Sequence, residues 1–152
     1  MAKPSPKVPA GKPAKAKPEG FPASEEKFAL FGNKPFMRFV KDFGASNEDL
    51  LEMVASIPDA DLGGGVFKFR LARAGEGTSG GARTIVAMKA KTRAVMMFGF
   101  EKKDQANISA KELRVFRKLA KTYLERSAEE VEKLVKLGEL IAVLPKKNGK
   151  AT

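Results

Sequence analysis

The stretch from Gly63 to Lys103 constrains this chain most, because apolar and cationic residues alternate there with a period of two. In Val66 to Leu71, the side chains of Phe67, Phe69 and Leu71 fall on one side and those of Lys68 and Arg70 on the other. Successive strand side chains point to opposite faces of a sheet, so this run reads as a strand with one buried and one solvent-facing side. Arg83 to Lys89 reads as a second strand and Ala94 to Phe100 as a third, joined by a tight turn around residues 90 to 93. The third run is apolar on both sides, with Val95 and Met97 on one and Met96 and Phe98 on the other. It therefore belongs in the middle of a sheet whose two faces are both covered by helices.

The same block is strongly cationic. Between Val66 and Lys103 there are nine Lys or Arg and two acids, so this segment supplies most of the net charge of +11. A single exposed Lys or Arg is ordinary surface. A set of them on one sheet face is different, because their fields add, and the commonest cellular polyanion they could meet is a nucleic-acid backbone. Lys68, Arg70, Arg73, Arg83, Lys89, Lys102 and Lys103 are the candidates.

The remaining elements follow from caps and stripes. Residues 1 to 22 form a Lys, Pro and Ala tail with little to bury, expected to be disordered; its first twenty residues carry five Lys and one Glu. A single domain is expected over residues 23 to 145, followed by a frayed end from 146 to 152. Residues 27 to 31 suit a short strand. Asn33 can cap a helix that has Pro35 in its first turn and runs to about Phe43. Ser46 with Asp49 opens a second helix that Pro58 closes. Ser109 with Glu112 and Ser127 with Glu130 are capping boxes opening a C-terminal helical pair. The first of that pair carries a core stripe of Leu113, Phe116, Leu119, Ala120, Tyr123 and Leu124, and the second ends at Gly138. Glu139 to Leu144 reads as a last strand. The expected fold is therefore α+β, a twisted, mainly antiparallel sheet of about four strands with two N-terminal helices and two C-terminal ones.

Composition narrows the chemistry. There is no Cys and no His, which removes thiol chemistry, the usual neutral-pH base and the usual zinc ligands. No metal or cofactor is expected. Gly75 to Gly80 matches the letters of a dinucleotide fingerprint, but the residues after it read as strand where a helix N-terminus is needed, and no Lys-Ser or Lys-Thr pair makes it a phosphate-binding loop. RNA brings its own nucleophile, the 2′-hydroxyl, so preorganised Arg and Lys can promote its cleavage by orienting the attack and stabilising the charge on phosphorus. No apolar run approaches the roughly 18 residues that span a bilayer, and the expected location is the cytoplasm without membrane association.

Gly63-Gly-Gly, Phe67 to Arg73, Gly75 to Gly81, Arg83 to Ala87, Arg93-Ala-Val, Phe98-Gly-Phe100 with Lys102 and Lys103, and then Ala106-Asn-Ile-Ser with Glu112-Leu, resemble the RelE/HigB-type toxins of bacterial toxin-antitoxin modules. The resemblance spans about residues 26 to 144. It implies a RelE-like fold and a metal-independent endoribonuclease that cuts messenger RNA on the ribosome and so inhibits translation. It also implies a cognate antitoxin carrying a helix-turn-helix DNA-binding module. By position it assigns catalysis to Lys68, Arg70, Arg83 and Lys102, with Lys103 as an alternative to the last. Arg73, Lys89, Arg93 and Lys103 are then the RNA-binding set. The chain departs from many relatives in having Thr78 where they have Lys, Ala82 where they have an aromatic and Phe98 where they have Tyr. It also lacks an active-site Tyr near Asn107. A ParE-like gyrase poison on the same scaffold, a non-catalytic nucleic-acid binder and a relative that only binds antitoxin are open alternatives.

Overall fold

The computed structural model describes residues 28 to 72, 81 to 89 and 92 to 145. The expected basic tail (1 to 22), the frayed end (146 to 152) and the Gly75 to Gly80 loop lie outside them. The elements run β1 (Ala29–Asn33), α1 (Lys34–Phe43), α2 (Asn47–Ala55), β2 (Ala60–Gly63), β3 (Val66–Leu71), β4 (Ala82–Lys89), β5 (Arg93–Glu101), α3 (Ala110–Glu125), α4 (Ala128–Lys136) and β6 (Leu140–Ala142).

These strands make one six-stranded sheet in the order β2-β3-β4-β5-β1-β6, rather than the sheet of about four strands expected. The additional strand invisible to patterning is β2. Its four residues, Ala-Asp-Leu-Gly, show no apolar alternation, and they are held by antiparallel pairing to β3 across a glycine turn. Gly63, Gly64 and Gly65 all have positive φ there, which only glycine adopts without strain. β1 lies parallel to β5, and every other pairing is antiparallel.

Both sheet faces are covered. Phe36, Val40, Leu50 and Met53 of α1 and α2 pack against Phe69, Leu71, Val86 and Met96. On the opposite face Phe116, Ala120, Leu124 and Val131 of α3 and α4 pack against Val66, Ile85, Ala87 and Val95. β5 sits between β4 and β1 and is buried from Ala94 to Met97, as its two-sided apolar pattern requires.

One expectation about β5 is corrected by a bulge. Ile85 pairs with Phe98 but Val86 pairs with Met96, so Met97 is an extra residue. One extra residue inverts the alternation beyond it. Phe98 therefore joins Val95 and Met97 on the α3 side, not Met96 on the α1 side, and Phe100 follows it.

Asn33 holds this bulge in place. Its Oδ1 accepts from the Phe36 N–H at 2.9 Å, capping α1, while its Nδ2 donates to the Met97 carbonyl at 3.1 Å. The side chain is buried, so both partners depend on it. Asn33→Ala should lose the cap, about 1 kcal/mol, and leave a buried carbonyl unpaired, about 1–3 kcal/mol. Urea denaturation should show this loss with an unchanged m-value. Asn33→Asp keeps the cap acceptor but has no donor, and it should remain less stable than the parent.

Candidate functional site

Register fixes how the cations meet. Arg70 lies directly across from Arg83, which lies directly across from Phe100; one row along, Lys68 faces Ile85, which faces Phe98. All six side chains belong to the α3 face of the sheet, because the β3 and β4 alternation places them there and the β5 bulge brings Phe98 and Phe100 over. Two rows of three thus form a floor with cations on one side and aromatic rings on the other. Phe116 of α3 stacks on Phe98 with ring centroids 5.3 Å apart, closing the aromatic side.

Asp59 organises the cationic side. Its Oδ1 is 3.2 Å from Nε of Arg70 and its Oδ2 is 3.6 Å from Nε of Arg83. Its position is set in turn by its own N–H, which donates to the Lys68 carbonyl at 2.7 Å. The Arg83 side chain is only 9% exposed and that of Arg70 49%, so one guanidinium is embedded in the floor and the other reaches solvent. A guanidinium has five N–H donors; Arg83 also directs Nη1 to the Ala82 carbonyl at 3.4 Å, so contacts among the described residues still leave more than half of its donors and those of Arg70 open. Lys68 reaches the loop before α3, where its Nζ lies 3.5 Å from the Asn107 Oδ1. That oxygen also accepts from the Ile108 N–H at 2.9 Å, which fixes the amide.

Lys102 and Lys103 are exposed on the turn that follows β5, immediately past the Glu101–Ala82 pair and so at the same end of the sheet as Arg83. Arg73 lies outside the described residues. Lys89 and Arg93 pair with each other at the opposite end of β4, six residues from Arg83, or roughly 20 Å at strand rise. Arg93 is engaged there: its Nη1 donates to the carbonyls of Tyr123 at 2.9 Å and Arg126 at 2.7 Å, satisfying the end of α3. The structure therefore brings Lys68, Arg70 and Arg83 together, sets Lys102 and Lys103 at their margin, and separates Lys89 and Arg93.

Sequence reasoning gave no site role to Asp59, to Asn107, which entered only with the Ala106-Asn-Ile-Ser run, or to Phe116, which was read only as core. An acid two residues before another acid, in a run without periodicity, carries no local signal; only the β2–β3 pairing brings Asp59 to the arginines. Among the described residues no group of three or more acidic side chains gathers in a way that could hold a metal ion. No helix among them is long and apolar enough to cross a membrane.

The family model for the RelE toxin of the RelE / RelB toxin-antitoxin system matches residues 28–143. The chain belongs to the RelE family. No curated protein matches it. The matched span contains every strand of the sheet and all four helices, so the floor described above is built wholly within the RelE domain.

Two rings of this RelE-family domain can be placed directly. Phe98 carries no hydroxyl and lies half-buried beneath Phe116. Tyr123 is also half-buried, packed with the α3–α4 core at the Arg93 end of the sheet. Gly81, where β4 begins, is required by close approach: a Cβ there would stand 2.3 Å from the Leu71 carbonyl oxygen. The hairpin can close tightly at that point only with glycine.

Asp59→Ala should destabilise the domain by about 1–2 kcal/mol, less than the roughly 3–5 kcal/mol for breaking a fully buried pair, because water reaches part of Asp59. A double-mutant cycle with Arg83→Ala, read by chemical denaturation, should return a coupling of about 1 kcal/mol. A coupling indistinguishable from zero would show that Asp59 does not hold Arg83.

Proposed function

We propose that this chain is a toxin-antitoxin toxin that acts as a metal-independent endoribonuclease, cutting messenger RNA on the ribosome and so halting translation. The observation that carries this reading is the convergence of Lys68, Arg70 and Arg83 in two adjacent registers on one sheet face. RelE-family membership supports it, since the family's description is that of a toxin.

The chemistry this site suits is transesterification within the RNA. The 2′-oxygen attacks the adjacent phosphorus in line, the phosphorus–O5′ bond breaks, and the products are a 2′,3′-cyclic phosphate and a free 5′-hydroxyl. The proton leaving the 2′-hydroxyl is balanced by one delivered to the departing O5′. Arg83, fixed in the floor by Asp59 and Phe100, offers directed N–H donors to the non-bridging oxygens, where charge builds in the transition state. Arg70, more exposed, receives the flanking phosphate. Lys68, steadied by Asn107, provides a third cation within reach of the same phosphoryl group. Lys102 and Lys103 extend the positive field past β5 and guide the strand in. The side chains already hold their positions, so little reorganisation is needed when RNA arrives.

A cognate antitoxin is the natural inhibitor. A segment bearing acids and apolar side chains would pair with these cations and lie along Phe98 and Phe100, denying the site to RNA. A helix-turn-helix DNA-binding module on that antitoxin, and a cytoplasmic place of action beside ribosomes, complete the proposal.

The test is inducible expression followed by mapping of message ends, together with purified protein on translating ribosomes. The expected result is rapid growth arrest with messages cut inside reading frames and 2′,3′-cyclic phosphate termini. Lys68→Ala and Arg83→Ala should each reduce cleavage about 10²–10³-fold, the loss typical of removing one charge-stabilising donor. Supercoiling defects with intact messages would identify a gyrase poison instead. Arrest that persists in the Lys68→Ala/Arg83→Ala double variant would sink the assignment of the site.

A further inference from the structure

We propose that the outer face of α3, continued by Lys89, is a second RNA contact that grips the sugar–phosphate backbone of duplex RNA. This rests on the RNA-directed reading above and concerns a surface outside the proposed cleavage site.

α3 turns Leu113, Phe116, Ala120 and Leu124 toward the sheet. At 100° per residue, Lys111, Arg114, Lys118 and Lys121 then fall within an arc of about 80° on the opposite side, and end to end they span about 15 Å. All four are exposed, and among the described residues none forms an ion pair. One acid, Glu125, four residues beyond Lys121, falls on the same face, while Glu112 lies off it with its carboxylate accepting from the Ser109 N–H. Four cations spaced three and four residues apart against that single acid leave this face a positive surplus, which suits an external polyanion.

The placement of the row connects it to the site. α3 starts beside the Asn107–Lys68 contact and ends where Arg93 caps it. Its outer face therefore leads from the cation cluster to the far end of the sheet. There Lys121, Lys89 and Arg117, with Glu125 as the one acid, border a groove of about 560 Å³ floored by Gly64, Gly65 and Met88. Lys89, remote from Arg83, acquires a role in this way.

The row also specifies the kind of RNA. Binding single strands uses aromatic platforms for stacking bases, but the rings of α3, Phe116 and Tyr123, pack inward. A straight row of cations without a stacking surface fits regularly spaced phosphates, the feature a duplex presents whatever its sequence.

The test measures binding of a short RNA hairpin of arbitrary sequence to the full chain against salt concentration. The variant K111Q/R114Q/K118Q/K121Q keeps good helix formers, and circular dichroism with the melting temperature checks that it folds. Its hairpin affinity should fall at least tenfold, and the log–log salt slope should shrink by about three and a half, as expected for four lost duplex phosphate contacts. Lys89→Gln should weaken binding in the same direction by a smaller factor. The double variant Lys68→Ala/Arg83→Ala should keep most of the slope. If the parent cuts no RNA yet the quadruple variant loses the slope, the docking surface stands and the nuclease reading fails. If cleavage and hairpin binding both survive the four substitutions, the nuclease reading stands and the docking surface is overturned. Loss of binding to an acidic peptide with RNA binding intact would likewise overturn it.

Discussion

One buried amide holds together the two halves of this domain that matter for the site. Asn33 ends β1, begins α1 and reaches the carbonyl of Met97 at the point where β5 has one residue too many. Without that extra residue, Phe98 and Phe100 would face α1 and α2, and the α3 face beside Arg83 would carry no aromatic floor. The bulge is thus the device that re-aims the end of a central strand, and the cap is what stabilises it. A central strand of the sheet and the candidate site share a single hydrogen-bonded anchor point.

The electrostatic arrangement has a related economy. Arg83 is nearly enclosed, and a guanidinium so placed needs a partner. Asp59 meets that need with one oxygen and steadies Arg70 with the other, so one acid serves two bases and the pocket keeps a positive surplus. Asn107 steadies Lys68 without charge. Strong positioning with incomplete neutralisation is what a phosphate-handling surface requires, since full pairing would leave nothing to offer a ligand.

Much of the fold was legible in sequence, and the reasons are local. The four caps at Asn33, Ser46, Ser109 and Ser127 all form where their residue types and spacing indicated. β3 and β4 follow their period-two alternation to within a residue. Two things were not legible. β2 exists because β3 offers it an edge, and the phase of Phe98 depends on a bulge that no side-chain pattern announces. The site was legible to the extent that alternation carries it: Lys68, Arg70 and Arg83 share a face for that reason. Its second half, Asp59 and Asn107, arrives from loops through tertiary pairing, and the distance between Lys89 and Arg83 follows from where β4 ends rather than from their neighbourhood in the chain.

The parallel partnership of β1 with β5 carries a consequence for the cell that makes such a chain. β1 precedes every other described element, yet its interior position requires β5 on one side and β6, the last of them, on the other. Contacts this distant in sequence form late. Until β6 has emerged from the exit tunnel, a nascent copy therefore holds Lys68, Arg70 and Arg83 on an unfinished scaffold.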